Sequence, residues 1–267
     1  MKCRLRSLIV TSAGLGTLVI ALPAAAGPVT VVSQNRSVHV AIPSIVEGEA
    51  AIDETLTAPD ENPFVTSLDR SLNQAGQTNS ASASQDSNFG NVSDSNFNVA
   101  ASGDARYSAT GLDGIVFADS NFELQFQLDE SRDYTINGSG SFPDTGSGAS
   151  DFSVTLTGPG GTVATFTKAD FDPGNVDGAQ INPTFNTSGT LAAGLYTLAA
   201  DAAVSGGTNT NEIASSFAFT FAASADAVNP PQPPVPIPLP AGFGPGAAML
   251  AGIAVLTARK HLRRGCA

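Results

Sequence analysis

Apolar residues alternate with polar or small residues along most of the chain, and this spacing of two predicts β-strands with one buried face. The clearest alternating segments are residues 38–42, 122–128, 152–156 and 217–221. Between the two ends of the chain, no window sustains the i, i+3, i+4, i+7 spacing of an amphipathic helix. The central part of the chain is therefore predicted to be all-β.

Clusters of Gly, Pro and Asn separate the alternating segments and predict turns. They are Asn137-Gly138, Gly158-Pro159-Gly160-Gly161, Asp172-Pro173-Gly174-Asn175 and Gly206-Gly207. About 10 to 12 short strands, spaced roughly 8 to 12 residues apart, suit two packed antiparallel sheets, a β-sandwich of jelly-roll type. The Ala-rich segment 191–198 allows a short helix, but the alternation favours a turn at Ala193-Gly194 followed by a strand.

The tetrapeptide Asp-Ser-Asn-Phe occurs three times, at residues 86–89, 94–97 and 119–122. One interpretation is a surface repeat that presents Asn and Asp. The other is that each Phe anchors the entry of a strand into the core. We favour the second, because a solenoid would need more copies at one sustained period. The Ser-, Asn- and Ala-rich segment 73–103, which holds two of the copies, gives a weaker strand signal than its neighbours.

The first 26 residues have the three parts of a secretory signal peptide. Three basic residues precede an apolar run at 8–22, and three alanines at 24–26 close the segment. The pattern predicts cleavage between Ala26 and Gly27. A retained membrane anchor is the alternative, but about 15 apolar residues fall short of the roughly 20 that a bilayer span needs.

The C-terminal segment begins with a Pro-rich spacer, residues 229–240, which favours an extended polyproline conformation. Apolar residues fill 241–258, and a basic end follows at 259–267, with Arg259, Lys260, Arg263 and Arg264. Because basic residues stay on the cytoplasmic side, we expect a transmembrane segment at 241–258 and the domain 27–228 outside the membrane. A buried core helix is the alternative, which the glycines of this stretch disfavour.

The end of the spacer carries a short motif made of Val235, Pro236, Ile237, Pro238, Leu239, Pro240 and Ala241. This motif, the apolar span and the basic end together resemble the C-terminal sorting tail of PEP-CTERM proteins. The variant that reads V-P-L-P-A is the most similar, and the present chain departs from it by the inserted Ile237-Pro238.

The resemblance implies that an exosortase-type membrane peptidase recognises the tail while it is held in the inner membrane of a Gram-negative bacterium that makes exopolysaccharide. It also implies a final location at the cell surface or in the extracellular matrix. Residues 32–38, 80–87 and 188–196 are similar to the β domain found ahead of many such tails, a likeness that implies no catalytic residues.

Charge is distributed unevenly along the 267 residues. Seven of the 12 basic residues lie in the two ends, so the segment 27–228 has five basic against 24 acidic residues, a formal charge of −19. This charge excludes a nucleic-acid binder, which needs a basic face, and makes divalent cations the favoured small partner. Both cysteines, Cys3 and Cys266, lie in the ends, so the domain has no disulfide or thiolate metal site.

A calcium site is the sharpest chemical hypothesis. Asp170, Asp172, Asn175 and Asp177 place four hard oxygen ligands within eight residues, and glycines at 174 and 178 let the chain curl around an ion. Ca²⁺ prefers six to eight such ligands. The alternative is an Asx-rich turn between strands.

Catalytic chemistry has little support in the sequence. His39 is the only histidine in 27–228, which disfavours a Ser-His hydrolase, and no pair stands out among the 24 acidic residues. Without Trp and with three Tyr, sugar-stacking surfaces are scarce. We therefore expect a non-enzymatic exported surface or matrix protein. A polysaccharide-binding module, with calcium as an aid, is the alternative, and a carboxylate-based surface glycosidase is the third hypothesis.

Overall fold

The computed structural model describes residues 27–90, 96–110, 114–143, 148–171, 180–207 and 210–225. These residues form thirteen strands and one short helix. The elements are β1 Val29–Ile42, β2 Ile52–Thr57, β3 Phe64–Gln74, β4 Gln77–Phe89, β5 Asn96–Ala109, β6 Val116–Leu128, β7 Arg132–Pro143, β8 Gly148–Gly158, β9 Gly161–Thr167, α1 Lys168–Phe171, β10 Gln180–Ile181, β11 Thr184–Leu191, β12 Gly194–Gly206 and β13 Thr210–Ala225.

The strands form two antiparallel sheets, which confirms the predicted all-β sandwich. Sheet 1 has the order β2-β1-β6-β12-β8-β9, and sheet 2 has the order β10-β7-β13-β5-β4-β3, with β11 also paired to β7. From β5 to β8, and again from β11 to β13, each strand lies in the opposite sheet from the strand before it. This alternation packs the faces of the two sheets together, as in a jelly roll.

Strand β6 shows how the spacing of two builds the core. From Val116 to Leu128 every second residue is buried, while the residues between them are only partly covered. Phe122 and Phe126 point inward and meet rings from sheet 2: Phe122 lies 5.4 Å from Phe219, and Phe126 lies 5.4 Å from Phe221. Rings from both sheets therefore interdigitate, which supplies the cohesion that a disulfide would otherwise give.

Glycines inside the strands make room for these rings. Gly103 pairs with Phe217 across β5 and β13, and a Cβ atom on Gly103 would lie 2.4 Å from the Phe217 ring and 2.3 Å from Ser120 Oγ. Gly140 pairs with the same Phe217 from β7, and a Cβ there would lie 2.5 Å from the Phe152 ring of sheet 1. Both positions require glycine because the aromatic side chains occupy the space of the missing Cβ.

A fully buried arginine ties the two sheets and a loop together. Arg36 of β1 donates to Gln34 Oε1 at 2.8 Å, to Ser87 Oγ of sheet 2 at 3.2 Å, and to the carbonyls of Asp60 and Asn62 in the β2–β3 loop. The Phe89 ring lies 4.5 Å from its guanidinium carbon. The acceptors and the ring offset the cost of burying this charge.

The predicted turn at Asn137-Gly138 is wrong, because both residues lie in the middle of β7. A Cβ on Gly138 would lie 2.3 Å from the Phe185 ring, so this glycine serves close packing and not a turn. The turn at Pro159-Gly160 is confirmed between β8 and β9. A bend lies at Ala193, and β12 begins at Gly194, the second residue of the predicted turn. The predicted turn at 172–175 lies outside the described residues.

The Phe residues of the three Asp-Ser-Asn-Phe copies all contribute to the core, as we favoured. Phe97 and Phe122 are fully buried, and the half-buried Phe89 packs edge-on against Phe122 at 6.1 Å. Their positions differ from the expected strand entries: Phe89 ends β4 and Phe122 lies within β6, while Phe97 is near the start of β5. The three Phe residues therefore contribute to the core as expected, but they do not all lie at the start of a strand.

We predict that Gly103→Ala lowers the stability of the domain by about 1–3 kcal/mol, because the added Cβ overpacks the Phe217 ring. Gly160→Ala is the matched control, since nothing lies within 4 Å of a Cβ at that position. Thermal unfolding measures both. Equal melting temperatures for the two variants would show that the ring does not need the glycine.

Candidate functional site

The outer face of sheet 2 carries a long groove, which is the candidate functional site. Its floor lies on the two central strands, where Ala100 and Ser102 of β5 face outward beside Ala218 and Thr220 of β13. Because these side chains are small, the floor lies below the side chains of the neighbouring strands. We call this feature the sheet 2 groove.

Longer polar side chains on the next strands form the two rims of the groove. In one row across the sheet, Asn88 of β4 and Asn137 of β7 lie on either side of the paired Ala100 and Thr220. In the neighbouring row, Asp86 and Ser139 lie on either side of Ser102 and Ala218. The rims are separated by three interstrand spacings, about 14 Å, which is wide enough for a single extended polymer chain.

Three depressions along this face share lining residues and together give the groove its length. Their volumes are about 450, 750 and 390 Å³. The first shares Asp86 and Ser102 with the second, and Asn88 and Asn137 with the third. From Asp104 to Asn98 the groove follows β5 over three two-residue steps, about 20 Å. It is open along its whole length, and its lining combines hydroxyl and amide side chains with alanine, glycine and apolar residues such as Val65.

Charged side chains lie at one end and on one rim of the groove. Arg106 binds Asp104 at 2.6 Å and Glu212 at 2.9 Å at one end of the groove. These two hydrogen-bonded carboxylates hold the guanidinium firmly, and they raise the pKa of Arg106. Asp86 is exposed and has no ion-pair partner among the described residues. The groove therefore carries negative charge at two places, which are the Asp86 carboxylate on one rim and the end where two carboxylates face the single guanidinium of Arg106.

The outer face of sheet 1 holds a second polar site, around His39. His39 Nε2 lies 3.0 Å from Asp53 Oδ1 and His39 Nδ1 lies 3.3 Å from Asp119 Oδ1, so a carboxylate faces each ring nitrogen. The imidazole also packs against Phe117, with ring centroids 5.3 Å apart. Burial raises the pKa of Asp119, and the charge of His39 opposes this effect. His39 is thus a partly covered surface residue, as its alternating strand predicts.

Among the described residues, Asp201, on β12 of the same face, has the most perturbed carboxyl group. Burial first, and then the neighbouring carboxylates of Asp119 and Asp151, raise its pKa to about 6, while a hydrogen bond with Asn121 acts in the opposite direction. Ala203 lies between Asp119 and Asp151 in the next row of the sheet, so three carboxylates surround one small residue. Around neutral pH, charge repulsion is therefore concentrated at this point of sheet 1.

The predicted calcium ligands are only partly visible. Asp170 lies in α1, and its Oδ2 accepts hydrogen bonds from Thr167 N at 2.7 Å and Thr167 Oγ1 at 2.9 Å. Asp172, Asn175 and Asp177 lie outside the described residues, so the calcium site stays a prediction. In the part of the chain that the structure describes, no three His, Cys, Asp or Glu side chains come together as metal ligands.

Of the two residues at the predicted cleavage site, the structure describes Gly27, and Ala26 lies outside the described residues. The Gly27 carbonyl accepts a hydrogen bond from the fully buried Arg132, whose Nη2 also lies 3.7 Å from Glu130 Oε1. The sorting motif 235–241, the span 241–258 and the basic residues that follow lie outside the described residues. Within the described ranges, the chain has no helix with the length and apolarity that a membrane crossing needs.

Sequence reasoning missed the sheet 2 groove. Its rims and floor come from four strands whose order in the sheet, β4-β5-β13-β7, differs from their order in the chain. The available signal was the run of small polar residues at 73–103, in which every second residue of β4 and β5 turns outward. That composition gave only a weak strand signal, and the register across the sheet was not apparent from it.

Comparisons with known proteins leave the groove unassigned. The chain matches no protein-family model and no curated protein in sequence. Among solved structures, the chain is similar to the structure of infectious bursal disease virus Gx strain, with 13% sequence identity and a TM-score of 0.26. The match covers 78% of this chain and 59% of the viral chain. The Gt strain gives 13% identity and a TM-score of 0.21 over 90% and 74%. At these scores, the likeness carries no functional argument.

We predict that Asp201→Asn stabilises the domain at pH 7, by an amount on the order of 2 kcal/mol, and has no such effect at pH 4. Because the folded state binds this proton with a pKa of about 6, against about 3.9 in the unfolded chain, wild-type stability falls as the pH rises between these values. The variant keeps a neutral group throughout. Thermal unfolding at both pH values measures the difference.

Asp69→Asn is the control for this measurement, since it removes an exposed carboxylate from the outer face of sheet 2. It should change the melting temperature little at either pH. A gain for Asp201→Asn of the same size at pH 4 and pH 7 would contradict the assignment of the proton to Asp201.

Proposed function

We propose that this chain is a non-enzymatic exported protein of the cell surface or extracellular matrix of a Gram-negative bacterium. The observation that carries the proposal is the position of the sandwich between the two predicted processing segments. Strand β1 begins at Val29, two residues after the predicted first mature residue Gly27. Strand β13 ends at Ala225, four residues before the Pro-rich spacer begins at 229. Processing at either end would leave every described strand intact.

The contact at Gly27 supports cleavage at that residue. Arg132 is fully buried and donates to the Gly27 carbonyl, so the first residue of the mature chain already belongs to the packed domain. The contact uses Gly27 and requires no residue before it. A mature N-terminus at this position would be fixed at the beginning of β1.

The composition of the domain suits an extracellular location. The segment 27–228 contains no cysteine, so oxidising conditions cannot cross-link it wrongly, and its formal charge of −19 keeps separate copies apart. Following the resemblance of the C-terminal tail, we propose that an exosortase-type membrane peptidase recognises the chain in the inner membrane and processes it.

A polysaccharide-binding module is the second candidate, and the sheet 2 groove is the observation that favours it. The groove is long, open and rich in hydroxyl and amide groups, the properties that suit an extended glycan. A surface glycosidase is the third candidate. Asp201, whose pKa of about 6 would suit a general acid, is its support, but that residue lies on the sheet opposite the groove.

We expect the mature surface protein to begin at Gly27 and to lack the basic end 259–267. Mass spectrometry of peptides from intact cells and from the membrane fraction measures both termini. Peptides beyond residue 258 on the surface-exposed protein would show that the tail is a permanent anchor and would contradict sorting by an exosortase.

Calcium binding has a test of its own. A few millimolar Ca²⁺ should raise the melting temperature of the full chain, because a ligand that binds only the folded state stabilises it. Replacing Asp172 and Asp177 together with Ala should abolish the shift. An unchanged shift in that double variant, or no shift in the wild type, would contradict a calcium site at 170–178.

A further inference from the structure

We infer that the sheet 2 groove binds one extended polysaccharide chain that carries free amino groups, with Asp86 as the residue that selects the amine. The inference rests on the proposed export of the domain, because such a polymer would be met outside the cell.

The shape of the groove selects an extended polymer. The floor holds nothing larger than Thr220 between the rims, and the three depressions connect along the strand direction. The backbone groups of β5 and β13 are already paired with neighbouring strands, so a peptide could not add to the sheet there by β-strand addition. An occupant must therefore bind through its own side groups to the side chains of the groove.

The side chains offer both hydrogen-bond donors and acceptors at regular intervals. Asn88 and Asn137 lie across from each other on the two rims, and Ser102 and Thr220 add hydroxyl groups on the floor. Successive outward residues on a strand repeat every two positions, about 7 Å apart. Sugar hydroxyl and amide groups can pair with such a repeating array.

Charge decides between kinds of polysaccharide. Asp86 places a carboxylate on one rim, and the positive charge at the end of the groove, Arg106, is occupied by Asp104 and Glu212. The whole segment 27–228 carries a formal charge of −19, which repels uronate or sulfate polymers. A protonated amine above Asp86 forms a charge-assisted hydrogen bond, which is stronger than a neutral one.

Binding of the full-length chain in detergent should be measured by titration calorimetry at a mildly acidic pH, where amines are protonated. The probes are a soluble glucosamine polymer, the same polymer after N-acetylation, and a polyuronate of equal length. We expect the amine polymer to bind about tenfold more tightly than the acetylated one, and the polyuronate to bind most weakly. Added salt should reduce the preference for the amine.

Asp86→Asn keeps the size of the side chain and removes its charge, so it should abolish the preference for the amine polymer. Ala218→Gln fills the floor and should weaken both glucosamine polymers at least tenfold. Glu123→Gln is the matched control, because it removes one carboxylate from the outer face of sheet 1, away from the groove.

Four results would overturn the inference: no binding of either glucosamine polymer, stronger binding of the polyuronate, an unchanged amine preference in Asp86→Asn, or a dimer in sedimentation that Ala218→Gln dissociates. The last result would assign the groove to a second copy of the chain. If the mature termini are those expected and yet no polymer binds, only the groove ligand is wrong, and the proposed export stands.

Discussion

Close contact between aromatic rings and strand glycines is the constraint on which this sandwich depends. Phe217 has glycine partners on both sides, Gly103 and Gly140, and the ring of Phe152 from the other sheet fills the space that a side chain at position 140 would take. With no cysteine between the two ends of the chain, this interlocking must hold the sheets together. A glycine in a strand lowers the stability of the strand, and the aromatic rings require glycine at these positions. The packing of the rings offsets this loss of stability.

The distribution of large and small side chains also shapes the outer face of sheet 2. In the middle of the sheet, at 99–103 and 217–221, strands β5 and β13 direct their large residues inward and only Ala100, Ser102, Ala218 and Thr220 outward. The low floor follows because the bulk of these two segments lies on the inner face. The rims arise because β4 and β7 alternate in the same way but carry Asp, Asn and Thr outward. The core and the groove therefore lie on opposite faces of the same alternating strands.

This pattern explains which features the sequence could predict. The alternation at 122–128 and 217–221 depends only on neighbouring residues, and it correctly predicted β6, β13 and the sandwich. The pair Asn137-Gly138 is locally a turn signal, but the Phe185 ring of β11 requires glycine at position 138 within a strand. That requirement is not visible without the pairing of β7 with β11. The groove was missed for the same reason, since its rims are adjacent only after four strands have found their register.

The two outer faces differ in how they hold negative charge. On sheet 1, burial and then the neighbouring carboxylates of Asp119 and Asp151 raise the pKa of Asp201 to about 6, so above that pH its ionisation lowers the stability of the fold. On sheet 2, Asp104 is neutralised by Arg106, and Asp86 has open solvent beside it. An exposed carboxylate on a rim costs folding little and stays accessible to a ligand. The open rim of sheet 2 therefore offers an accessible carboxylate to a cationic partner, whereas the more perturbed acid of sheet 1 is partly buried.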